Sequence, residues 1–421
     1  MNIIVVGAGT VGQSVAQTLV DERHNVTLID IDESHLGKVE EQLDVQTIAG
    51  SGASAPVLFQ AGISEAGLVI AATNDDEVNL IAASVAKAMG ARKAVARVHA
   101  SVYRDLSTFD YGRHFRIERI MSLEELTAFE LAKFIRNPGS VAVETLARGQ
   151  VEMPLLRVAD GGPAVGKTLR QLQLPRGVRV GALLRGGRFI VPSADHPTFE
   201  AGDIVALAGM RKDLDEIRDL FVEHETARVR VVIAGGGRVG TELANVLRGG
   251  RYAVRIIERD RELCEALAAS YPYATVVCGD MTSRAFLEEE RIAQADVFVA
   301  ATGEDEDNIM SAVEAKELGV PKTMVVIRRP DYANVVSKLG IDVAVSPRAA
   351  MAAEVSSLAT SGVVNRVIPL PGSDVVVLEM TVQPDAPVTR VPLAKLPLPD
   401  DLVLVALTRE GFAKVPGASD K

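Results

Sequence analysis

Two stretches of this chain carry the residue types and spacing to hold a phosphate through backbone atoms. Gly7-Ala8-Gly9-Thr10-Val11-Gly12 follows the apolar run Ile3-Ile4-Val5-Val6, and Gly235-Gly236-Gly237-Arg238-Val239-Gly240 follows Val231-Val232-Ile233-Ala234. In a G-x-G-x-x-G turn between strand and helix, the first glycine permits the tight turn. The second admits a pyrophosphate to the backbone, and the third lets the helix lie close to the strand. Free N–H groups and the positive end of the helix dipole then meet the phosphates. An acid answers each motif at the same distance beyond its last glycine: Asp30 closes Leu28-Ile29-Asp30, and Glu258 closes Ile256-Ile257-Glu258. A carboxylate there accepts hydrogen bonds from a ribose hydroxyl pair and repels a 2′-phosphate, which favours NAD over NADP. A single motif is weak evidence. Two, each with its acid in register, predict two dinucleotide-binding units.

The repeat continues past the fingerprint. Gly50-Ser51 matches Gly279-Asp280, and Val95-Ala96-Arg97 matches Val326-Ile327-Arg328. The run Val69 to Asn79 matches Val297 to Asn308 if one inserted residue is allowed. In an open parallel sheet these residues fall at the carboxyl edge, where ligands bind at the point of strand-order reversal. Thr73, Asn74, Thr302 and Gly303 are therefore expected to face a nucleotide. The acidic runs that follow, Asp75-Asp76-Glu77 and Glu304-Asp305-Glu306-Asp307, are most simply read as charge placed against a helix N-terminus.

Positioning these residues requires an α/β fold: two Rossmann-like, doubly wound parallel-sheet domains, each followed by a small α+β domain. The expected divisions are residues 1–138, 139–223, 228–362 and 363–421. Ser122-Leu123-Glu124-Glu125 reads as a capping box opening a helix to about Arg136, before Asn137-Pro138-Gly139. From about Val141 to Phe221 the pattern is β-rich, broken at Gly161-Gly162-Pro163 and Gly186-Gly187, with a closing helix from Arg211. Ser346-Pro347 reads as an N-cap with Pro at the first helical position, opening a helix to about Ser361. Ala182-Leu183-Leu184-Arg185 then has an echo in Ala406-Leu407-Thr408-Arg409. The last module is expected to be a shortened copy, because Lys421 precedes any counterpart of Gly202-Asp203-Ile204-Val205.

Composition narrows the classes. With 421 residues, 48% hydrophobic but only 4% aromatic and no Trp, the chain suits sheets of Val and Ile under Ala- and Leu-rich helices. No run of ~18 uncharged apolar residues offers a bilayer span. Met1-Asn2-Ile3 leads straight into an apolar run, so no leader is expected. Cys264 and Cys278 are too far apart for a C-x-x-C pair and suit a reducing cytoplasm. A net charge of −11 argues against nucleic-acid binding.

Catalytic patterns are thin. Gly161 to Thr168 fits the P-loop pattern, but Pro175 leaves no room for the long helix such a loop needs. The histidines (His24, His35, His99, His114, His196, His224) show no metal spacing and read singly as surface or packing residues. No Tyr stands four residues before a Lys. The chain thus has cofactor sites without an evident acid or base, and is read as a non-enzyme. A duplicated NAD-dependent oxidoreductase is the rival.

The ordered set I-I-V-V-G-A-G-x-V-G, L-I-D, A-A-T-N-D-D-E-x-N, x-A-R-V, G-K-T-L-x-x-L-x-L-P and A-G-D-x-V-x-L-A-G resembles the RCK (KTN) nucleotide-binding domain with its C-terminal partner domain, here in tandem. The resemblance covers nearly the whole chain, short of the tail beyond about residue 417. It implies NAD(H) at Gly7 to Val11, Asp30, Thr73, Asn74 and Arg97, and at Gly235 to Val239, Glu258, Asp280, Thr302 and Arg328. Where the family often has Asp after the glycine ending the third strand, this chain has Asp280 in one unit and Ser51 in the other. The resemblance further implies a regulatory subunit of a Trk-type potassium uptake system. Such a subunit would be cytoplasmic, homo-oligomeric, and held at the membrane by a channel or transporter subunit, not by lipid insertion. An RCK-type regulator of another cation transporter is the variant reading. Thr10 is neutral where Arg238 is cationic, so the second site is expected to accept more phosphate-rich ligands such as ATP or ADP.

Overall fold

In the computed structural model the described residues are 1–421, except 106, 137–139, 148–149, 187, 194, 222–227, 250, 330–331, 360–363, 371–374, 384–385, 400, 410–411, 418–419 and 421. The first sheet comprises β1 (Asn2–Val6), β2 (Asn25–Asp30), β3 (Gln46–Ala49), β4 (Leu68–Ala71), β5 (Ala94–Arg97) and β6 (Arg119–Met121). All pairs are parallel, in the order β3-β2-β1-β4-β5-β6. The order reverses between β1 and β4, which leaves a crevice at their carboxyl ends. Residues of β4 and β5 are buried throughout, as expected for strands covered on both faces. The connecting helices are α1 (Thr10–Asp21), α2 (Glu33–Glu40), α3 (Ala55–Gln60), α4 (Asp76–Ala88), α5 (Tyr111–Phe115) and α6 (Leu123–Arg136). Ser122 accepts from the Glu125 N–H at 3.3 Å, half of the expected capping box, while the Glu125 carboxylate pairs with Arg104 instead. The Asn137-Pro138-Gly139 break lies outside the described residues.

A five-stranded antiparallel sheet follows: β7 (Ser140–Leu146), β8 (Val151–Arg157), β9 (Val178–Arg185), β10 (Arg188–Ile190) and β11 (Ile204–Gly209), in the order β10-β9-β11-β8-β7. Gly186 makes part of the β9–β10 turn at φ +57°; Gly187 lies outside the described residues. The P-loop look-alike resolves into α7 (Leu169–Leu172), a single turn capped reciprocally by Thr168 and Gln171. The closing helix α8 (Arg211–Ile217) tightens into a 3₁₀ turn at Arg218–Leu220.

The second parallel sheet repeats the first. Its strands are β12 (Val229–Ala234), β13 (Tyr252–Glu258), β14 (Thr275–Cys278), β15 (Val297–Ala300), β16 (Lys322–Val326) and β17 (Val343–Val345), in the order β14-β13-β12-β15-β16-β17. Its helices are α9 (Arg238–Val246), α10 (Arg261–Ser270), α11 (Arg284–Glu289), α12 (Asp305–Glu317), α13 (Ala333–Lys338) and α14 (Pro347–Ala359). The last residues form two hairpins, β18 (Val364–Pro369) with β19 (Val376–Met380) and β20 (Leu407–Arg409) with β21 (Phe412–Lys414).

The chain divides into two compact units: Met1–Ala132 with Ala227–Ala359, and Lys133–Thr226 with Thr360–Lys421. Within the first unit, α14 packs along α1. Met351, Val355 and Ala359 join Val11, Val15 and Leu19 in one apolar cluster, so the last helix of the second Rossmann module helps close the core of the first. Lys93 Nζ donates to the Leu358 carbonyl at 2.9 Å, Arg119 pairs with Glu354, and Arg104 bridges Glu125 and Glu242 at 2.8 and 2.9 Å. Within the second unit, Ile368, Leu370 and Ala413 share a core with Leu146, Met153 and Ala182. Arg185 grips the buried Asp203 through two 2.8 Å bonds.

Candidate nucleotide-binding clefts

Each glycine loop leaves its strand through a positive-φ glycine, Gly7 at +101° and Gly235 at +116°. The Gly7 N–H donates to the Ile29 carbonyl at 2.7 Å, and that of Gly235 to Ile257 at 2.8 Å. The third glycine is fixed by contact: a Cβ on Gly12 would stand 1.8 Å from the Gly7 oxygen, and one on Gly240 2.0 Å from the Gly235 oxygen. The second glycine is different. A Cβ on Gly9 or Gly237 would meet nothing within 4 Å, so these positions border open space at the N-cap of α1 or α9. That is the form a backbone cradle for pyrophosphate requires, with N–H groups and a helix dipole aimed into the space.

The strand-end acids do more than wait for a ribose. Asp30 accepts from the Ala8 N–H at 2.5 Å and the Asp32 N–H at 2.8 Å. Glu258 accepts from Gly236 at 2.8 Å, Arg259 at 2.8 Å and Asp260 at 3.0 Å. Each carboxylate therefore ties the glycine loop to the next strand end. Carboxylate oxygens keep further lone pairs, so this clamp is compatible with accepting from hydroxyls.

Opposite, at the end of β4, Thr73 is held by a residue the sequence reading quoted without assigning it a role. Asn79, fully buried, accepts from the Thr73 N–H (2.9 Å) and hydroxyl (2.7 Å), and donates to the Thr73 (3.0 Å) and Arg97 (2.9 Å) carbonyls. Asn308 does the same for Thr302, at 2.8, 2.7 and 3.3 Å, and reaches the Val326 carbonyl at 3.0 Å. The acid runs are also specific. Asp76 and Asp305 are buried and turn away from their helix N-termini to receive N–H groups of the next strand's exit, from His99 and Ala100 or from Arg328 and Arg329. Tyr103 donates to Glu77 at 2.6 Å, and Tyr332 to Glu306 at 2.7 Å. Only Asp75 makes the simple cap, accepting from the Val78 N–H at 2.8 Å. The available signal was the Asn six residues after the Thr in both copies.

These partners correct the internal alignment. Val69 pairs with Ala94, and Phe298, its equivalent, with Thr323, so Arg97 corresponds to Val326 and His99 to Arg328. Arg97 and Arg328 are not counterparts, and the matched runs at β4 and β15 need no inserted residue. Two short apolar strands with similar composition allowed a slip of two positions, which preserves the alternation of faces.

The misaligned residues give the two clefts different electrostatics. Arg97 is buried, donating to His99 Nε2 at 2.7 Å and Asn74 Oδ1 at 3.4 Å; among the described residues its Nε has no partner. Because a guanidinium only donates, His99 Nε2 accepts and Nδ1–H faces Asp76 Oδ1 at 2.9 Å. Burial lowers the Arg97 pKa, Glu124 and Asp76 oppose the shift, and the positive charge of Arg238 adds to it. Arg97, from the first module, thus lies within electrostatic reach of the second glycine loop. In the second cleft the Arg328 guanidinium lies beside Gly303, 3.7 Å from where a Cβ would stand. At the third strand ends, Asp280 accepts from the Thr282 N–H (2.9 Å) and hydroxyl (2.7 Å), while Ser51 accepts from Ala53 at 3.3 Å. The Thr282 bonds hold the Asp280 pKa below its ordinary value, with burial opposing and Arg259 assisting.

Two parallel sheets with this strand order, each bearing a glycine loop and an acid clamp, define a duplicated Rossmann-type nucleotide-binding architecture. Comparison with known proteins narrows this. A TrkA-N domain model matches residues 3–108 and 231–347, and a TrkA-C domain model matches residues 155–222. The Trk system potassium uptake protein TrkA homolog of Archaeoglobus fulgidus is 34% identical, over 99% of this chain and 93% of its own. TrkA of Halomonas elongata is 35% identical, over 83% and 77%. The chain belongs to the TrkA family. Among solved structures, the GsuK RCK domain matches with a TM-score of 0.60 at 19% identity, covering 84% of this chain and 75% of that one. The GsuK channel bound to NAD matches with a TM-score of 0.62 at 20% identity, covering 84% and 62%. These two likenesses are to the fold.

Proposed function

We propose that this protein is the nucleotide-sensing regulatory subunit of a Trk-type potassium uptake system, binding NAD(H) and, at the second cleft, ATP or ADP. The observation that carries the reading is the pair of open glycine cradles, Gly9 and Gly237, each tied to a strand-end carboxylate. The ligand set is Gly7 to Gly12, Asp30, Ser51, Thr73, Asn74 and Arg97 in one module. In the other it is Gly235 to Gly240, Glu258, Asp280, Thr302, Gly303 and Arg328. A bound dinucleotide supplies charge and a ribose edge, and the chain orders its loops around them. NAD⁺ and NADH differ by one charge at the nicotinamide, and differential affinity of that origin drives couplings of ~1–3 kcal/mol.

The membrane partner is a potassium channel or transporter subunit, which places the protein at the cytoplasmic face. Among the described residues no helix is long and apolar enough to cross a membrane. Exposed Ile81 on α4 and Met310 on α12 suit assembly of several copies. The modules in this reading are residues 1–138, 139–223, 228–362 and 363–421. In this reading the protein acts without catalysis, and the His99–Asp76 pair serves to orient Arg97. Calorimetry with NADH, NAD⁺, ATP and ADP on the wild type, Gly9→Ala and Gly237→Ala tests it. Binding of NADH lost cleft by cleft, with ATP retained only by Gly9→Ala, is expected. Absence of all four ligands at millimolar concentration, or turnover of NADH with a metabolite, overturns it.

A further inference from the structure

The two cysteines, far apart in sequence, meet beside Glu258. Cys278 ends β14 directly opposite Glu258 in the parallel ladder, and Cys264 lies in the first turns of α10. The Cys264 thiol donates to the Glu258 carbonyl at 3.3 Å, and the Cys278 thiol to the neighbouring Arg259 carbonyl at 3.8 Å. The two thiols donate to carbonyls of adjacent residues, and Cys278 is near enough to raise the Cys264 pKa. One is buried and the other exposed, and both are reduced. The first module offers an internal control, because Leu36 and Ala49 hold the corresponding places on α2 and β3.

We propose that Cys264 and Cys278 form a thiol–disulfide switch, oxidised by peroxide, that weakens ligand binding at the second cleft and leaves the first untouched. Cys278, being exposed, reacts first. Its thiolate sulfur attacks one peroxide oxygen, the O–O bond breaks, and the departing hydroxide takes a proton to become water, leaving a sulfenic acid. The Cys264 sulfur then attacks the Cys278 sulfur. The S–S bond forms, the S–O bond breaks, and the leaving hydroxide carries off the Cys264 proton as a second water. Two thiols lose two electrons and one peroxide gains them. Burial, the adjoining Cys278 and the charges of Glu258 and Asp260 push the Cys264 thiol up to about 12, which keeps it from initiating.

The consequence for the cleft follows from what Glu258 holds. Its carbonyl accepts from Cys264 and from the Gly279 N–H at 2.8 Å, and its carboxylate accepts from the Gly236 N–H. Helix α10 also presses on the loop directly: a Cβ on Gly236 would stand 2.4 Å from Leu267 Cδ1. A disulfide removes the Cys264 donor and draws α10 toward the end of β14, so both the clamp and the loop must move.

The test uses the full chain treated with hydrogen peroxide, then freed of it. Peptide mapping without reductant should find Cys264 linked to Cys278, and neither Cys264→Ala nor Cys278→Ser should form the link. Hydrogen exchange of residues 235–238 should quicken while that of residues 7–10 holds steady. NADH binding by Gly9→Ala should weaken at least ~5-fold on oxidation, the lower end of allosteric couplings, and recover with dithiothreitol. Cys278 oxidised to the sulfinic acid with Cys264 still alkylatable, links only between chains, or an intramolecular disulfide with unchanged loop exchange would each overturn the proposal. The affinity arm rests on the nucleotide reading. If reduced protein takes no NADH, that reading fails, while the peptide and exchange measurements still decide the switch.

Discussion

Replacing Asn79 by Ala removes four hydrogen bonds of 2.7–3.0 Å from a side chain with no exposed surface. Each such bond contributes about 0.5–1.5 kcal/mol net, and every buried group left unpaired costs about 1–3 kcal/mol. The Arg97 carbonyl and the Thr73 N–H are the groups most exposed to that cost. Allowing for partial replacement by water, the expected loss is about 3–5 kcal/mol, concentrated at the ends of β4 and β5. Asn308→Ala should have a similar effect at β15 and β16, somewhat smaller because its bond to the Thr302 carbonyl is longer, 3.3 Å. Because a chain of several modules need not unfold in one step, a single melting temperature is a poor readout. Hydrogen exchange of residues 68–74 and 297–303 in each variant reads the loss locally. Calorimetry with NADH should show the first cleft lost in Asn79→Ala and the second in Asn308→Ala. Equal loosening of both clefts by either variant, or native exchange at Thr73 in Asn79→Ala, would refute the reasoning.

Gly12→Ala and Gly240→Ala should destabilise their modules by about 1–3 kcal/mol through the carbonyl clash, whereas Gly9→Ala and Gly237→Ala should keep native circular dichroism and lose ligand only. Asp76 has its pKa lowered, burial opposing the shift while the Ala100 and His99 hydrogen bonds outweigh it. Its stabilisation is therefore complete above the ordinary carboxylate value of 3.8 and disappears as pH falls through the lower folded value; in Asp76→Asn acid unfolding monitored at β5 should lose that component. Asp203→Ala removes two Arg185 bonds and one from the Glu200 N–H, but the part-exposed Arg185 keeps Glu200 and the Thr198 carbonyl, so it should cost about 1–3 kcal/mol in urea unfolding of the second compact unit. Arg238→Thr should weaken ATP at the second cleft by about 10-fold, one charge-assisted hydrogen bond, with NADH less affected in calorimetry.

What was legible in the sequence was the backbone chemistry. The glycines, the strand-end acids and the doubly wound parallel sheets follow from spacing and apolar runs, because a turn that admits only glycine leaves a strict signature. The start of α14 was readable too, because Ser346-Pro347 places an N-cap and a proline where a helix accepts them. Side-chain networks were not. Asp76 stands in an acidic run at a helix start, where dipole compensation predicts the same residue. Only the fold reveals that its carboxylate reaches the exit of β5. The alignment slipped where the copies had diverged, at Arg97 and Val326, since apolar alternation is equally satisfied two residues away. The proximity of Cys264 and Cys278 could not be read from spacing, because one lies on a helix and the other on the edge strand of the same sheet.

The divergence has a physical logic. In an assembly of identical modules, any change at one cleft appears at every equivalent cleft. Tandem duplication in one chain removes that constraint, and several of the changes here alter charge or reactivity. Thr10 becomes Arg238, Arg97 becomes Val326, His99 becomes Arg328, and Leu36 and Ala49 become Cys264 and Cys278. The residues that hold the loops, Asn79 and Asn308, Asp76 and Asp305, Tyr103 and Tyr332, stay the same in kind and contact. The clamp is thus kept in both copies while the charge and reactivity facing it are varied. Arg97 then sits in the first module, within electrostatic reach of Arg238 of the second, at a cost in burial that its Val326 counterpart avoids. Two guanidinium groups within electrostatic reach of one another oppose each other, and an anion between them relieves the opposition. A ligand rich in phosphate at the second glycine loop would therefore draw Arg97 and Arg238 toward a common anion, whereas the first loop carries the neutral Thr10 in place of Arg238.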